Sequence, residues 1–434
     1  LHEQAGASAN VPPLETLCPG YKFFACAGVT QLAVCGEQLF VPAETLPLPR
    51  SMFGMHPRPG AGGFDKGRTW RWQPLIEART AEGAWRGNPA SLLVYAGGAY
   101  KGGVWASFAI DDPAWYETDA AMTCIEGVAR AMRRGVFLVD AGTNYYTYFD
   151  EQTPVAGVRA VNLGAAPVSG LSARVTFSDL ESKQPIQEVS ESVAAGLQTV
   201  QSMQKSVPLR NWPASGIGVT SELRDRDGTV IDRAAHEAHV WRPKPRPSFV
   251  TVHDGDLVLD GKRWRAHGVN YMPSSGIGIE DGAFFEFWIG AASYDPRIVQ
   301  RDLDRLKEMG INAVSIFIYR ESMESQNLLD LLRRLDALDM KANLSLRPGT
   351  PLDFQLDAMR EPIEYYRLAQ NDTVFAYDLA WEPMFGNQAE RRPYDAQWRA
   401  WIDERYGGVE SAERDWAYAA PRDEAGAVTG PPGE

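Results

Sequence analysis

The spacing of apolar residues changes along the chain, and each change marks a different kind of structure. Residues 1–152 mix strand-like runs, Ser91–Tyr95, Val104–Ile110 and Val136–Val139, with one stretch of helical spacing. That stretch is Thr118–Arg134, where Met122, Ile125, Val128 and Met132 share a face and Gly135 is a stop. Leu46–Ala81 is rich in Pro, Gly and Arg and reads as long loop. The expectation is an N-terminal α/β accessory domain. Residues 153–243 carry short runs of strand type, from Val155–Val161 to Ala238–Trp241, divided by polar turns such as Asp225–Gly228. With no helical stripe among them, they predict an immunoglobulin-like β-sandwich. Arg242–Arg246 (RPKPR) follows as a stiff, Pro-broken linker.

Residues 244–434 turn to strand–helix alternation. Leu257–Arg263 reads as a hairpin, and Trp264–Asn270, Ala313–Tyr319, Lys341–Arg347 and Val374–Leu379 as strands. Between them, Asp295–Pro296 starts a helix with Val299, Leu303 and Leu306 on one face, and Gly310 ends it. Leu328, Leu331, Leu332, Leu335 and Leu338 mark a second helix, Pro362–Ala369 a short third, and Tyr394, Trp398, Trp401, Ile402 and Tyr406 a fourth. Each strand is also two-sided: Val314, Ile316 and Ile318 oppose Ala313, Ser315 and Phe317, and Ala342, Leu344 and Leu346 oppose Asn343 and Ser345. A doubly wound sheet needs aliphatics on both faces, whereas a barrel lumen accepts small and polar groups. The pattern therefore predicts the first half of a (β/α)8 TIM barrel, the third part of a multidomain chain.

Composition removes several functions. The net charge of −13 over 434 residues argues against a nucleic-acid partner. No apolar run approaches the ~18–20 residues of a membrane span. Cys18, Cys26, Cys35 and Cys124 lack metal-type spacing, so one or two disulfides or buried thiols are expected. No G-x-G-x-x-G follows a strand and no His/Asp/Glu cluster has ligand spacing, so neither cofactor nor metal is expected. The chain starts at Leu1 and closes on Gly430–Glu434, which reads as a piece of a longer protein; a secreted or periplasmic location is the expectation.

Candidate chemistry collects at the strand ends. Glu382 stands in AYDLAWEP, just past an apolar run, where Pro383 ends strand pairing. Barrel enzymes keep their chemistry at the C-terminal ends of parallel strands. Asn270, Tyr319 and Arg347 end the other strands, and an amide, a phenol and a guanidinium around one carboxylate suit a polyol such as an oligo- or polysaccharide. Trp381, next to Glu382, joins the substrate-contact set. The long loop Ser274–Tyr294 carries Phe284, Phe285, Phe287 and Trp288, which form either a sugar-stacking wall or a small satellite core. His236 and His239 read as surface residues and His267 as a satisfied core residue. Tyr145, Tyr146, Tyr148 and Phe149 read as edge-of-core packing.

HGVNYMP, INAVSIFIY and AYDLAWEP, in that order, resemble clan A glycoside hydrolases, the cellulase- and β-galactosidase-like (β/α)8 enzymes, over residues 250–420. Trp398–Trp416 is also similar to the helix after that motif in β-galactosidase-like members. The resemblance implies an O-glycosyl hydrolase acting on β-linked sugars by a retaining two-carboxylate mechanism. Glu382 matches the family's general acid/base, and the nucleophile, a glutamate ending a seventh strand, falls beyond this chain, so the chain alone is expected to be inactive. Two positions depart from the pattern: Trp381 replaces the asparagine that binds the sugar 2-hydroxyl, and Ser315 stands where many members carry arginine. A non-catalytic carbohydrate-binding scaffold on a degenerate barrel is the alternative. Val104–Phe149 faintly resembles glutamine-amidotransferase-like domains, but no nucleophilic Cys with a matching His is present, which implies an accessory role.

Overall fold

The two longest strands of the N-terminal sheet are joined by a tight turn, not a helical crossover, and that decides how they pair. The computed structural model describes the chain except residues 1–22, 37, 42–44, 56, 210–211, 274–286, 319, 347–348, 351–352, 381–385 and 431–434, and the side chains of 23–25, 195, 320–322, 349–350, 353–354 and 388. β1 (Phe23–Ala25), β2 (Gln31–Val34), β3 (Phe53–Met55), β4 (Trp70–Arg79), β5 (Trp85–Tyr95) and β6 (Val104–Phe108) form one sheet. Every pairing in it is antiparallel. Thr80 N–H donates to Ala84 O at 2.9 Å, closing a β4–β5 turn too short for a parallel crossover. The α/β domain expected here is an antiparallel sheet with one described α-helix, α1 (Asp119–Arg134). Thr118 caps α1 through Ala121 N–H, and Gly135 at φ 70° ends it, as its sequence requires. The stretch 46–81, read as loop, contains β3 and β4; Pro74 fits inside β4 because the register shifts there.

β7 (Val136–Thr143) is buried along its whole length because both faces meet apolar cores. Phe137 and Val139 pack with α1, Leu75 and Leu92, while Val136, Leu138 and Ala141 pack with the strands that follow. Those are β8 (Thr147–Phe149), β9 (Val155–Asn162), β10 (Val168–Asp179), β11 (Pro185–Ala195), β12 (Val200–Ser206), β13 (Ile217–Arg224) and β14 (Val230–Trp241). They complete two sheets, β11-β10-β13-β14-β8 and β12-β9-β7, that share a core. β13 shows the period-two burial of a one-sided strand. Tyr146, Tyr148 and Phe149 are buried in packing, not open for stacking. His236, expected at the surface, is also buried. Its ring accepts from Thr143 N–H at 3.0 Å and donates to Glu237 O at 2.9 Å, which satisfies a neutral imidazole without water.

The linker is pinned. Arg242 pairs with Asp150, and Lys244 lies 3.0 Å from Asp372, which also accepts from Ser248 N–H at 2.7 Å. β15 (Thr251–His253), β16 (Asp256–Leu259) and β17 (Lys262–Arg263) form a small antiparallel sheet. β18 (Gly268–Asn270) then pairs in parallel with β19 (Ala313–Phe317) across α2 (Pro296–Glu308). β18 is shorter than its sequence predicts because the Asn312 side chain takes Arg265 O and His267 N–H out of the ladder. His267 is exposed rather than in a core, with Nδ1 3.2 Å from Gly310 O. After α3 (Asn327–Ala337) and β20 (Lys341–Ser345) come a two-residue hairpin of β21 (Gly349–Thr350) and β22 (Asp353–Phe354), α4 (Leu356–Tyr365) and β23 (Val374–Asp378). The strand order is β18-β19-β20-β23 in one four-stranded sheet.

Residues 1–343 with 369–375 form one compact unit, and residues 344–368 with 376–434 another. The second unit holds α4, α5 (Gln388–Arg391), α6 (Asp395–Tyr406) and α7 (Val409–Trp416), with Ile402, Ala412, Ala420 and Val428 as its core. Trp398 stacks on both Trp401 and Trp416. Mostly sheet with few helices, the described residues include no helix long and apolar enough to cross a membrane.

Asp330 on α3 organises the first unit. It is fully buried and accepts from Thr147 Oγ1 and Tyr294 Oη at 2.8 Å, Arg334 Nε at 2.7 Å and Arg333 at 3.1 Å. Burial alone would raise its carboxyl, but the charges of Arg334 and Arg333 outweigh that and hold it well below the usual range. The group thus stabilises the fold above the ordinary carboxylate pKa and loses that effect as pH falls toward its lowered value. Asp330→Ala leaves two arginines uncompensated and is expected to cost about 3–5 kcal/mol in urea unfolding followed by circular dichroism. Lys66, buried over the Tyr146 ring at 4.2 Å, donates to Asn144 O at 2.7 Å. Burial first, then Arg68, pushes its ammonium down to about 7. An unfolded lysine stays protonated to about 10.4, so above pH 7 the unfolded chain holds the extra proton and stability rises with pH. Urea midpoints should increase from pH 7 to 9.5, and Lys66→Met should flatten that rise.

Candidate functional site

The parallel strands present one polar face. Val269 pairs with Val314 on the aliphatic side, and Asn270 pairs with Ser315 on the other. Tyr271 N–H donates to Ser315 O at 3.0 Å, continuing the register beyond β18. Asn343 on β20 reaches across, its Nδ2 donating to Ser315 Oγ at 3.0 Å. Asn270, Ser315 and Asn343 therefore form a cross-strand row of an amide, a hydroxyl and an amide. Asn270 is exposed and the other two half-buried. Behind the row Val314, Ile316 and Ala342 are fully buried, so the strands cannot rotate this face inward without exposing their core. Hydroxyl-rich ligands suit such a row, since each group both accepts and donates.

Trp288 is not an open wall. It is 2% exposed, edge-on to Tyr271 at 5.3 Å and stacked on Tyr294 at 6.4 Å. Trp288 thus has the surroundings of the satellite core. Its neighbours are anchored: Ile289 O accepts from Ser325 Oγ at 3.1 Å and Asn327 Nδ2 at 2.9 Å, and Tyr294 Oη donates to Asp330. Burial raises both Tyr271 and Tyr294 well above the usual phenol range, so neither serves as an acid near neutrality. The aromatic group instead carries rigidity from the Asp330 cluster to the backbone beside Asn270.

Of the expected site residues, Asn270 lies on the polar row and Trp288 in the core, whereas Glu382, Trp381, Tyr319 and Arg347 lie outside the described residues. Within the second unit, Leu346 N–H donates to Asp378 O at 2.9 Å, so β23 pairs through its last residue before the Glu382 segment. The sequence signals for the Ser315–Asn343 bond are the polar side of the strands on which both positions fall and an asparagine inside a strand. Among the described residues no group of three or more His, Cys, Asp or Glu is placed to hold a metal.

No family model matches the chain, and no curated protein matches it. Among solved structures, a Bacteroides uniformis beta-glucuronidase is similar at 16% identity and a TM-score of 0.27, over 66% of this chain and 32% of that one. A Parabacteroides merdae beta-glucuronidase gives 12% and 0.25, over 62% and 33%. A glycosyl hydrolase family 2 member from Bacteroides cellulosilyticus gives 14% and 0.23, over 56% and 31%. The chain spans about a third of the length of these proteins.

Trp288→Ala should cost about 3–5 kcal/mol of stability by urea unfolding, the loss of a buried indole. A cost below about 0.5 kcal/mol would return it to the surface.

Proposed function

We propose that this chain carries the acid/base part of a retaining β-glycosidase acting on β-linked oligo- or polysaccharides. The observation that supports it is the one-sided polarity of the parallel strands, with the Asn270–Ser315–Asn343 row opposite a packed aliphatic face. Glu382 follows the fourth of these strands by four residues, in the order that the glycoside hydrolase resemblance requires. In this reading Glu382 protonates the glycosidic oxygen as the leaving group departs, then deprotonates the water that releases the glycosyl-enzyme. A second carboxylate about 5–5.5 Å away attacks the anomeric carbon. Asn270, Tyr319 and Arg347 are the contacts to sugar hydroxyls that this reading calls for. Trp381 takes the place of an amide next to the acid, so the sugar 2-hydroxyl is met by a ring rather than a hydrogen-bonding group. The mechanism is complete with two carboxylates and calls for no cofactor.

One feature favours a second reading, a carbohydrate-binding scaffold without turnover: Trp381 itself, which removes the amide that glycone recognition uses. The two readings separate on Glu382→Gln, made in the natural polypeptide that carries these residues. On an aryl β-glycoside with a poor leaving group, kcat should fall about 10²–10⁴-fold, and far less when the leaving group needs no proton. Turnover unchanged on the poor leaving group, or absent in the unaltered protein, refutes the assignment.

A further inference from the structure

The three members of the polar row stand level because two backbone bonds lock the strands in register. Tyr271 N–H donates to Ser315 O at 3.0 Å, and Lys341 N–H donates to Asn312 O at 2.9 Å. In a parallel pair the second bond sets Asn343 opposite Ser315, while Asn270 pairs with Ser315 from the other side. With neighbouring strands about 4.8 Å apart, the row runs about 10 Å, room for one sugar ring with its hydroxyls. Its polarity is fixed at the centre. Asn343 Nδ2 donates to Ser315 Oγ at 3.0 Å, which leaves the Ser315 proton as the outgoing end of that hydroxyl. Among the described residues that proton has no acceptor. A hydroxyl that already accepts one hydrogen bond is polarised into a better donor of the next. Ser315 is half-buried, and Val314 and Ile316 beside it are buried on the opposite face. The strand therefore cannot turn Ser315 away from the row without exposing that core.

We propose that Ser315 donates this proton to one oxygen of a bound sugar, and that Asn343 is the positioning residue that sets the direction of the bond. This polarity acts only if the row meets sugar hydroxyls, as in the glycosidase reading on which it rests, and there it decides which hydroxyl analogues bind. An oxygen or a fluorine at the contacted ring position accepts the proton, whereas a hydrogen leaves the half-buried hydroxyl unpaired. A carboxylate at position 343 would draw the same proton inward and turn the outward end of Ser315 into an acceptor.

Isothermal titration of the natural polypeptide that carries these residues would use methyl β-D-glucoside and methyl β-D-galactoside, then the deoxy and deoxyfluoro analogues of the tighter one. At one ring position the deoxy analogue should bind about tenfold more weakly than the parent, and the deoxyfluoro analogue within about threefold of it. In Ser315→Ala the parent and the deoxy analogue should bind alike at that position. In Asn343→Asp the deoxyfluoro analogue should fall to the level of the deoxy one. Should Asn343→Asp fail to fold, Ser315→Ala, which removes one oxygen and adds no bulk, still carries the test. No position that separates deoxy from deoxyfluoro, a separation that survives Ser315→Ala or Asn343→Asp, or saturable binding of neither glycoside overturns the inference. The expected discrimination with turnover unmoved by Glu382→Gln would sink the acid/base assignment alone. Turnover lost in Glu382→Gln without that discrimination would sink only the role of Ser315 and Asn343.

Discussion

A single buried carboxylate, Asp330, ties together elements far apart in sequence. Thr147 from β8, Tyr294 from the segment before α2, and Arg333 and Arg334 from its own helix all converge on it. An ion this deep is tolerable only when every oxygen is matched, and each of these partners is costly to remove because the others remain. The cluster thereby fixes α3 against β8, and Asn327 of α3 holds the Ile289 carbonyl beside Trp288, which packs on Tyr271 and Tyr294. The polar row on the parallel strands inherits its position from that chain of contacts.

Much of this was legible where local chemistry acts alone. Thr118 and Gly135 bound α1, and Asp295–Pro296 starts α2, because caps and αL glycines work within one turn of chain. The two-sided strands were legible too, since alternation has a fixed period of two: Val314 and Ile316 are buried while Ser315 and Asn343 hydrogen-bond across the other side. What misled was long-range. The first domain has α/β-like apolar runs, but pairing follows from turn length, and Pro74 within a strand is accommodated by a bulge that no local pattern announces. His236 reads as polar and therefore external; its burial depends on Thr143, 93 positions away.

Trp288 shows the same limit for function. An aromatic-rich loop suits a sugar wall and a satellite core equally well on sequence, and tertiary contacts with Tyr271 and Tyr294 decide for the core.

The proposed glycosidase reading depends on Glu382 acting as the acid/base and on the Asn270–Ser315–Asn343 row meeting sugar hydroxyls. The most direct test is a crystal structure of the natural polypeptide carrying residues 1–434 with a non-hydrolysable β-linked disaccharide bound. The account places the Glu382 carboxyl within hydrogen-bond distance of the glycosidic oxygen, with Asn270 on a hydroxyl of the same sugar. A disaccharide seated away from the Asn270–Ser315–Asn343 row, or a Glu382 side chain turned from it, would contradict the account.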